Sequence, residues 1–238
     1  VSGRLPDARV RRPVLLNTWS DATFLHWRAD PARVQALLPQ GLRVDVLDGS
    51  AWLGVVAFRM SDVRLPGLPA VPGWSTFPEL NVRTYVRGPD GRDGVLFLDL
   101  LCPRRAFVWA LRRVGLPYRH ADAWTGRTDE HATYRFTRPR GVHRQTLEAR
   151  VEVGARLRAG ERTPLVDALT GRWNAYSSVA GRLLRVPVDH EPWELHGARL
   201  VEARRRTTRG GLRLPVDAPL VHFSPGVHAR IGAPVPAT

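Results

Sequence analysis

Residues 77–86 read FPELNVRTYV. Successive side chains of a β-strand point to opposite faces, so Glu79, Asn81, Arg83 and Tyr85 share one face and Leu80, Val82, Thr84 and Val86 the other. Same-face neighbours stand about 6.5 to 7 Å apart. Asn81 can therefore bridge Glu79 and Arg83, while those two cannot touch directly. The residue types suit acid–base work on a small anion. A guanidinium grips a carboxylate through two parallel N–H···O bonds, and a carboxylate within hydrogen-bond reach accepts a proton from a reacting group. Alternation alone leaves two readings open, an outer face in water and the polar wall of a pocket.

Few other residues compete for chemistry. FLHWR places His26 and Trp27 on opposite faces of a strand, so one of them can reach the same pocket. The other histidines, His120, His131, His143, His190, His196, His222 and His228, show no HxH or HExxH spacing, and no metal site is expected. DHEPW at 189–193 reads as a strand-ending turn capped by Asp189 or His190. GRDG and TRGG lack the strand, loop and helix setting of a phosphate cradle, and AYSSVAG holds Ser177 and Ser178 without a nucleophile elbow. No cofactor is expected. Trp52, Phe58 and Met60 read as core.

The elements that must position these residues are well punctuated. DPARVQALLPQG predicts a short helix with Asp30 as N-cap, Pro31 in the first turn, Val34, Leu37 and Leu38 as its apolar stripe, and Pro39 and Gly41 as its stop. PRRAFVWALRRVGLP predicts a second, with Phe107, Trp109 and Leu111 on a broad apolar face and Gly115 at its end. TPLVDALTGRW predicts a third, opened by Thr163 and Pro164. Alternating runs separated by turn residues predict strands around 42–47, 50–60, 79–87 and 94–102, the last two joined as a hairpin through Gly88 to Gly91. Further strands are expected at 118–125, 132–138, 142–153, 173–178, 183–188 and 194–206. One domain is expected over 13–228, with a mobile arm at 1–12 and a mobile tail at 229–238.

Composition narrows the partners. The 238 residues are 43% hydrophobic, as in a folded globular protein. No apolar run approaches the roughly 18 residues of a membrane span, and no N-terminal apolar segment is present, so a soluble cytoplasmic protein is expected. The chain starts at Val1 and its single methionine is Met60, which points to residues missing before Val1. The lone Cys102 excludes an internal disulfide and a cysteine-built metal site. A formal charge of +14 would suggest nucleic acid. All 36 basic residues are arginine, however, and they are scattered. That pattern matches codon bias in a GC-rich genome and argues against a phosphate track. A homo-oligomer remains compatible with the sequence.

HWRADP at 26–31, DGSAWLGVVAFRM at 48–60, FPELNVRTYV at 77–86 and LPY at 116–118 closely resemble the YqjF-like family of bacterial proteins, a branch of the acetoacetate decarboxylase-like superfamily. The resemblance covers nearly all of residues 13–225 and is most specific in the first half. It implies an α+β, mainly β fold: a curved antiparallel sheet closing into a cone-shaped barrel around a cavity, with about three peripheral helices. The decarboxylases of this superfamily form a Schiff base on a lysine of lowered pKa. These 238 residues hold no lysine, so that route is closed. The decarboxylase lysine pair falls at Tyr118 and Arg119, and their N-terminal arginine falls near Ser20. Glu79 takes the position of an active-site acid. Taken with the reading of the residues above, Glu79 is expected as proton acceptor, with Tyr118 donating a proton or hydrogen bond, and Arg83, Asn81, His26, Tyr85 and Arg119 around a small anionic or carbonyl-containing ligand. A lysine-independent lyase or isomerase-like enzyme is one reading; a ligand-binding protein without turnover is another.

Overall fold

The computed structural model describes residues 5–237 apart from 141, 142, 206, 207, 210, 211, 214 and 216. Three α-helices are present among the described residues. In α1 (Pro31–Gln35) the Asp30 side chain accepts from the Arg33 N–H at 2.8 Å, and Val34 is buried. In α2 (Arg105–Arg112) Phe107 and Val108 are buried, while Trp109 faces out under the Arg113 guanidinium. In α3 (Pro164–Thr170) the Thr163 hydroxyl accepts from the Val166 N–H at 3.2 Å. Capping and a first-turn proline stabilise such short helices, which are marginal alone.

The strands are β1 (Pro13–Ala29), β2 (Arg43–Val44), β3 (Ala51–Arg64), β4 (Phe77–Arg87) and β5 (Asp93–Cys102). Then come β6 (Tyr118–His120), β7 (Asp122–Arg127), β8 (His131–Arg140), β9 (His143–Arg156), β10 (Asn174–Val179) and β11 (Arg182–Asp189). Last are β12 (His196–Arg205), β13 (Thr208–Arg209), β14 (Leu212–Arg213), β15 (Leu220–Gly232) and β16 (Val235–Pro236). Where an arm and a tail are expected, the Val10 N–H donates to Asp189 Oδ2 at 3.1 Å and Val235 pairs with Arg185.

The pairing corrects the expected antiparallel, cone-shaped barrel. The main sheet is mixed, with order β16-β11-β10-β5-β4-β3-β1-β15-β12-β9-β8-β7, so its path ends in two edge strands, and β2 and β6 attach to β4 and β5. β5 runs parallel to both β6 and β10. β11 meets β15 through Val188 with Ile231 and Asp189 with Arg230. Parallel neighbours need a crossover connection, and α2 supplies the one from β5 to β6. Apolar alternation is the same whichever way a neighbour runs, so the pairing direction is not written in it.

β1, β3 and β4 occupy the middle and are covered on both sides. Phe24, Phe58, Phe107, Tyr118 and Trp193 pack on one side. On the other, Leu25, Val55 and Leu80 pack against Tyr134 and Phe136 of β8 and Leu147 of β9. Each such large apolar side chain contributes about 1.5–3 kcal/mol of burial free energy. No helix among the described residues is long and apolar enough to cross a membrane.

Candidate functional site

The polar stripe of β4 is buried. Glu79 is 3% exposed and Arg83 9%, and Asn81 and Tyr85 are buried with them. Glu79, Asn81 and Arg83 line a cavity of about 150 Å³. In register across β3, Glu79 lies beside Phe58, Asn81 beside Val56 and Arg83 beside Gly54. A Cβ on Gly54 would stand 2.9 Å from Tyr85 Oη and 3.1 Å from Arg83 Cγ. Glycine therefore leaves the room in which the arginine side chain lies.

Tyr118 reaches Glu79 because β6 runs parallel to β5, which puts Tyr118 beside Leu100 and Leu100 beside Asn81. The Tyr118 O–H donates to Glu79 Oε2 at 2.8 Å. Burial pushes the Glu79 carboxyl up to about 8, against a lowering by the Tyr118 hydrogen bond. Burial and the neighbouring Glu79 hold the Tyr118 phenol well above its ordinary value. Near neutral pH the pair is thus a neutral acid and a phenol, the usual response of ionisable groups in an apolar site.

At the other end of the stripe, Arg83 Nε donates to Tyr85 Oη at 3.2 Å and Nη2 to the Leu169 carbonyl at 3.0 Å. Tyr85 donates to the same carbonyl at 2.9 Å. Arg83 makes no ion pair among the described residues. The other buried cavity guanidinium, Arg172, is paired with Asp45 at 2.7 Å and Asp93 at 2.9 Å. A buried charge is costly unless paired, so the difference between the two arginines is informative.

His26 lies near Arg83 and Tyr85 without lining the cavity. Burial, then the Arg83 and His222 charges, lower its pKa well below the ordinary value, so it is neutral. Arg119 is not brought to the cavity: alternation turns it away from Tyr118, and it pairs with Asp99 at 3.1 Å. Cys102 is buried, and burial with the nearby Glu79 pushes its thiol up to about 12, which disfavours the thiolate nucleophile. Among the described residues, no group of three or more His, Cys, Asp or Glu is placed to hold a metal ion.

The family DUF2071, described as an uncharacterized conserved protein, matches residues 17–228. The chain belongs to the DUF2071 family. It is 31% identical over 213 residues to the uncharacterized protein YqjF of Bacillus subtilis (strain 168), covering 89% of this chain and 87% of that one. The enduracididine biosynthesis enzyme MppR, solved with the condensation product of pyruvate and imidazole 4-carboxaldehyde, superposes with a TM-score of 0.68 at 14% identity, over 98% of this chain and 92% of that one. An acetoacetate decarboxylase-like enzyme from Sphingomonas wittichii RW1 gives a TM-score of 0.64 at 16% identity, over 98% and 96%. At these identities the likenesses show a shared fold: this DUF2071 protein has the fold of these two enzymes.

Several cavity residues of this DUF2071 chain escape a strand-by-strand reading. His190 and Trp193, from the DHEPW turn, stand 4.9 Å apart between ring centroids, and Trp19 lies 5.6 Å from His190. Burial lowers His190 to about 4, and its Nδ1–H donates to the Glu191 carbonyl at 2.6 Å. Asn17 also lines the cavity, and both its side-chain polar atoms are buried without a hydrogen-bond partner among the described residues. Trp19 Nε1, Asn81 Oδ1 and Arg172 Nη2 share that state. Buried polar atoms are almost always satisfied, and five that lack a partner among the described residues line this cavity. The one sequence signal was DHEPW, a polar and aromatic cluster in a turn.

Proposed function

We propose that this chain takes a small carboxylate- or carbonyl-bearing molecule into the cavity and moves a proton on it without a Schiff base. One observation carries the reading. A buried guanidinium without a paired carboxylate and a buried carboxyl without a paired cation open on the same cavity. Arg83 holds the anionic end, where a ligand carboxylate supplies the missing counter-charge. Glu79 is the proton carrier. A group that titrates near 8 retains its proton at pH 7 and is close enough to neutrality to give it up and take it back. The expected assignment of Glu79 as acceptor thus shifts toward donor in the resting protein. Tyr118 keeps its own proton and orients Glu79 by donating to Oε2. The MppR fold neighbour holds a pyruvate-derived compound, which is compatible with a ligand of this class.

A ligand-holding protein without turnover uses the same cavity, and the absence of lysine from these 238 residues favours it. Glu79→Gln separates the two. If Glu79 carries the proton, the variant binds a carboxylate ligand and loses turnover. If no carboxylate binds to the wild-type protein, both readings fail.

A further inference from the structure

This inference rests on the reading above and concerns what lies between Arg83 and Glu79. Four strand positions set their Cα atoms about 13 Å apart. Arg83 does not lean back across that gap. Its Nε donates to Tyr85, the next position on that strand face away from Glu79 and one that does not line the cavity, and Nη2 donates to the carbonyl that Tyr85 also bonds. At the other end, Glu79 Oε2 receives Tyr118, which leaves Oε1 for a ligand. A hydrogen bond at each end spans about 3 Å. A molecule that engages both therefore carries a polar group at each of two opposite ends.

The surface between those ends carries the Asn81 amide among aromatic and apolar side chains. The Phe24 ring lies 5.8 Å from the Arg83 guanidinium carbon and meets Trp193 edge-on at 5.0 Å. Val56 and Phe58 stand beside Asn81 and Glu79. The cavity measures about 150 Å³, and an apolar cavity of about that size holds one benzene ring. A keto acid as short as pyruvate, with its ketone on the carbon next to the carboxylate, puts both polar groups at one end and leaves a ring-sized space unfilled. We propose that the ligand is a single-ring aromatic acid with a hydroxyl or carbonyl oxygen para to its carboxylate, the carboxylate on Arg83, the ring against Phe24 and the para oxygen on Glu79.

The test is calorimetric titration of the wild-type protein at pH 7 with para-hydroxybenzoate, ortho-hydroxybenzoate and pyruvate. The two aromatic acids share mass and composition and differ in where the oxygen sits. The para isomer is expected to bind at least about tenfold tighter than either competitor. Equal affinity for the two isomers overturns the inference. Preference for pyruvate overturns it too, while leaving the roles of Arg83 and Glu79 standing. Binding of none of the three overturns both. Phe24→Leu is expected to weaken the para isomer and spare pyruvate; should that variant fail to fold, the wild-type isomer comparison decides alone.

Discussion

Tyr118 and Glu79, on strands separated by β5, meet through a 2.8 Å hydrogen bond inside the cavity wall, and Tyr118 is the donor. Both groups are shielded from water, so each sets the protonation of the other. Removing the donor with Tyr118→Phe leaves Glu79 Oε2 unpartnered. The variant is expected to lose about 1–3 kcal/mol of stability and to raise the Glu79 pKa further, because the lost bond lowers it. Urea unfolding and a carboxyl titration check the two effects. A lowered Glu79 pKa would show that the bond acts the other way.

Stability should peak near pH 6.5. Glu79 rises from 4.5 to about 8 on folding, so between those values the native state binds the extra proton and stability falls as pH rises. By linkage the loss amounts to up to about 5 kcal/mol. His190 and His222 run the other way. Their folded values are lowered from 6.5 to about 4, so their contribution is present above 6.5 and disappears as pH falls toward 4. Denaturant midpoints across pH 4 to 9 should show the peak, and Glu79→Gln should flatten the fall above pH 6.5 and steepen the rise below it. An unchanged alkaline slope in that variant would assign the loss to another group.

Gly54 leaves room for Arg83. The nearest atoms to an added Cβ are Tyr85 Oη and Arg83 Cγ, so Gly54→Ala displaces the guanidinium from the Leu169 carbonyl. A cost of about 1–3 kcal/mol is expected for the overpacking, together with weaker binding of carboxylates. Gly160→Ala, with nothing within 4 Å of the new Cβ, is the control and should leave both unchanged. Thermal melts and carboxylate titrations of the two variants decide it.

Leu80 is fully buried against the face covered by β8 and β9, whereas its neighbour Val82 is half-buried. Leu80→Ala is expected to cost about 2–5 kcal/mol by opening a cavity, and Val82→Ala clearly less. Equal small losses in chemical unfolding would mean that β8 and β9 do not cover β4.

The stripe of β4 was legible because strict alternation puts Glu79, Asn81, Arg83 and Tyr85 on one face whatever the fold. Whether that face was wet was not legible, since it depends on α2, α3 and β6 closing over it from distant parts of the chain. No strand is expected over 220–232, where Ser224, Pro225 and Gly226 are poor strand formers. In the fold they continue a strand against β1, where Ala22 pairs with Ser224 and Ser20 with Gly226 around Asp21 at φ 50°. Helices α1 and α3 were legible because their caps are local, side chain to backbone within three residues. His190 and Trp193 were not, because a turn carries no period from which to infer a facing. Arg119 was drawn to the site by the resemblance, which puts the decarboxylase lysine pair at Tyr118 and Arg119, and alternation turns it away.

The account stands most directly on the ionisation of Glu79. Carbon NMR of the glutamate carboxyls, with Glu79 assigned by comparison with Glu79→Gln, measures it in the wild-type protein. A midpoint near 8 that moves when a carboxylate ligand is added is the predicted result. A midpoint near 4.5 with no response to any carboxylate would contradict it.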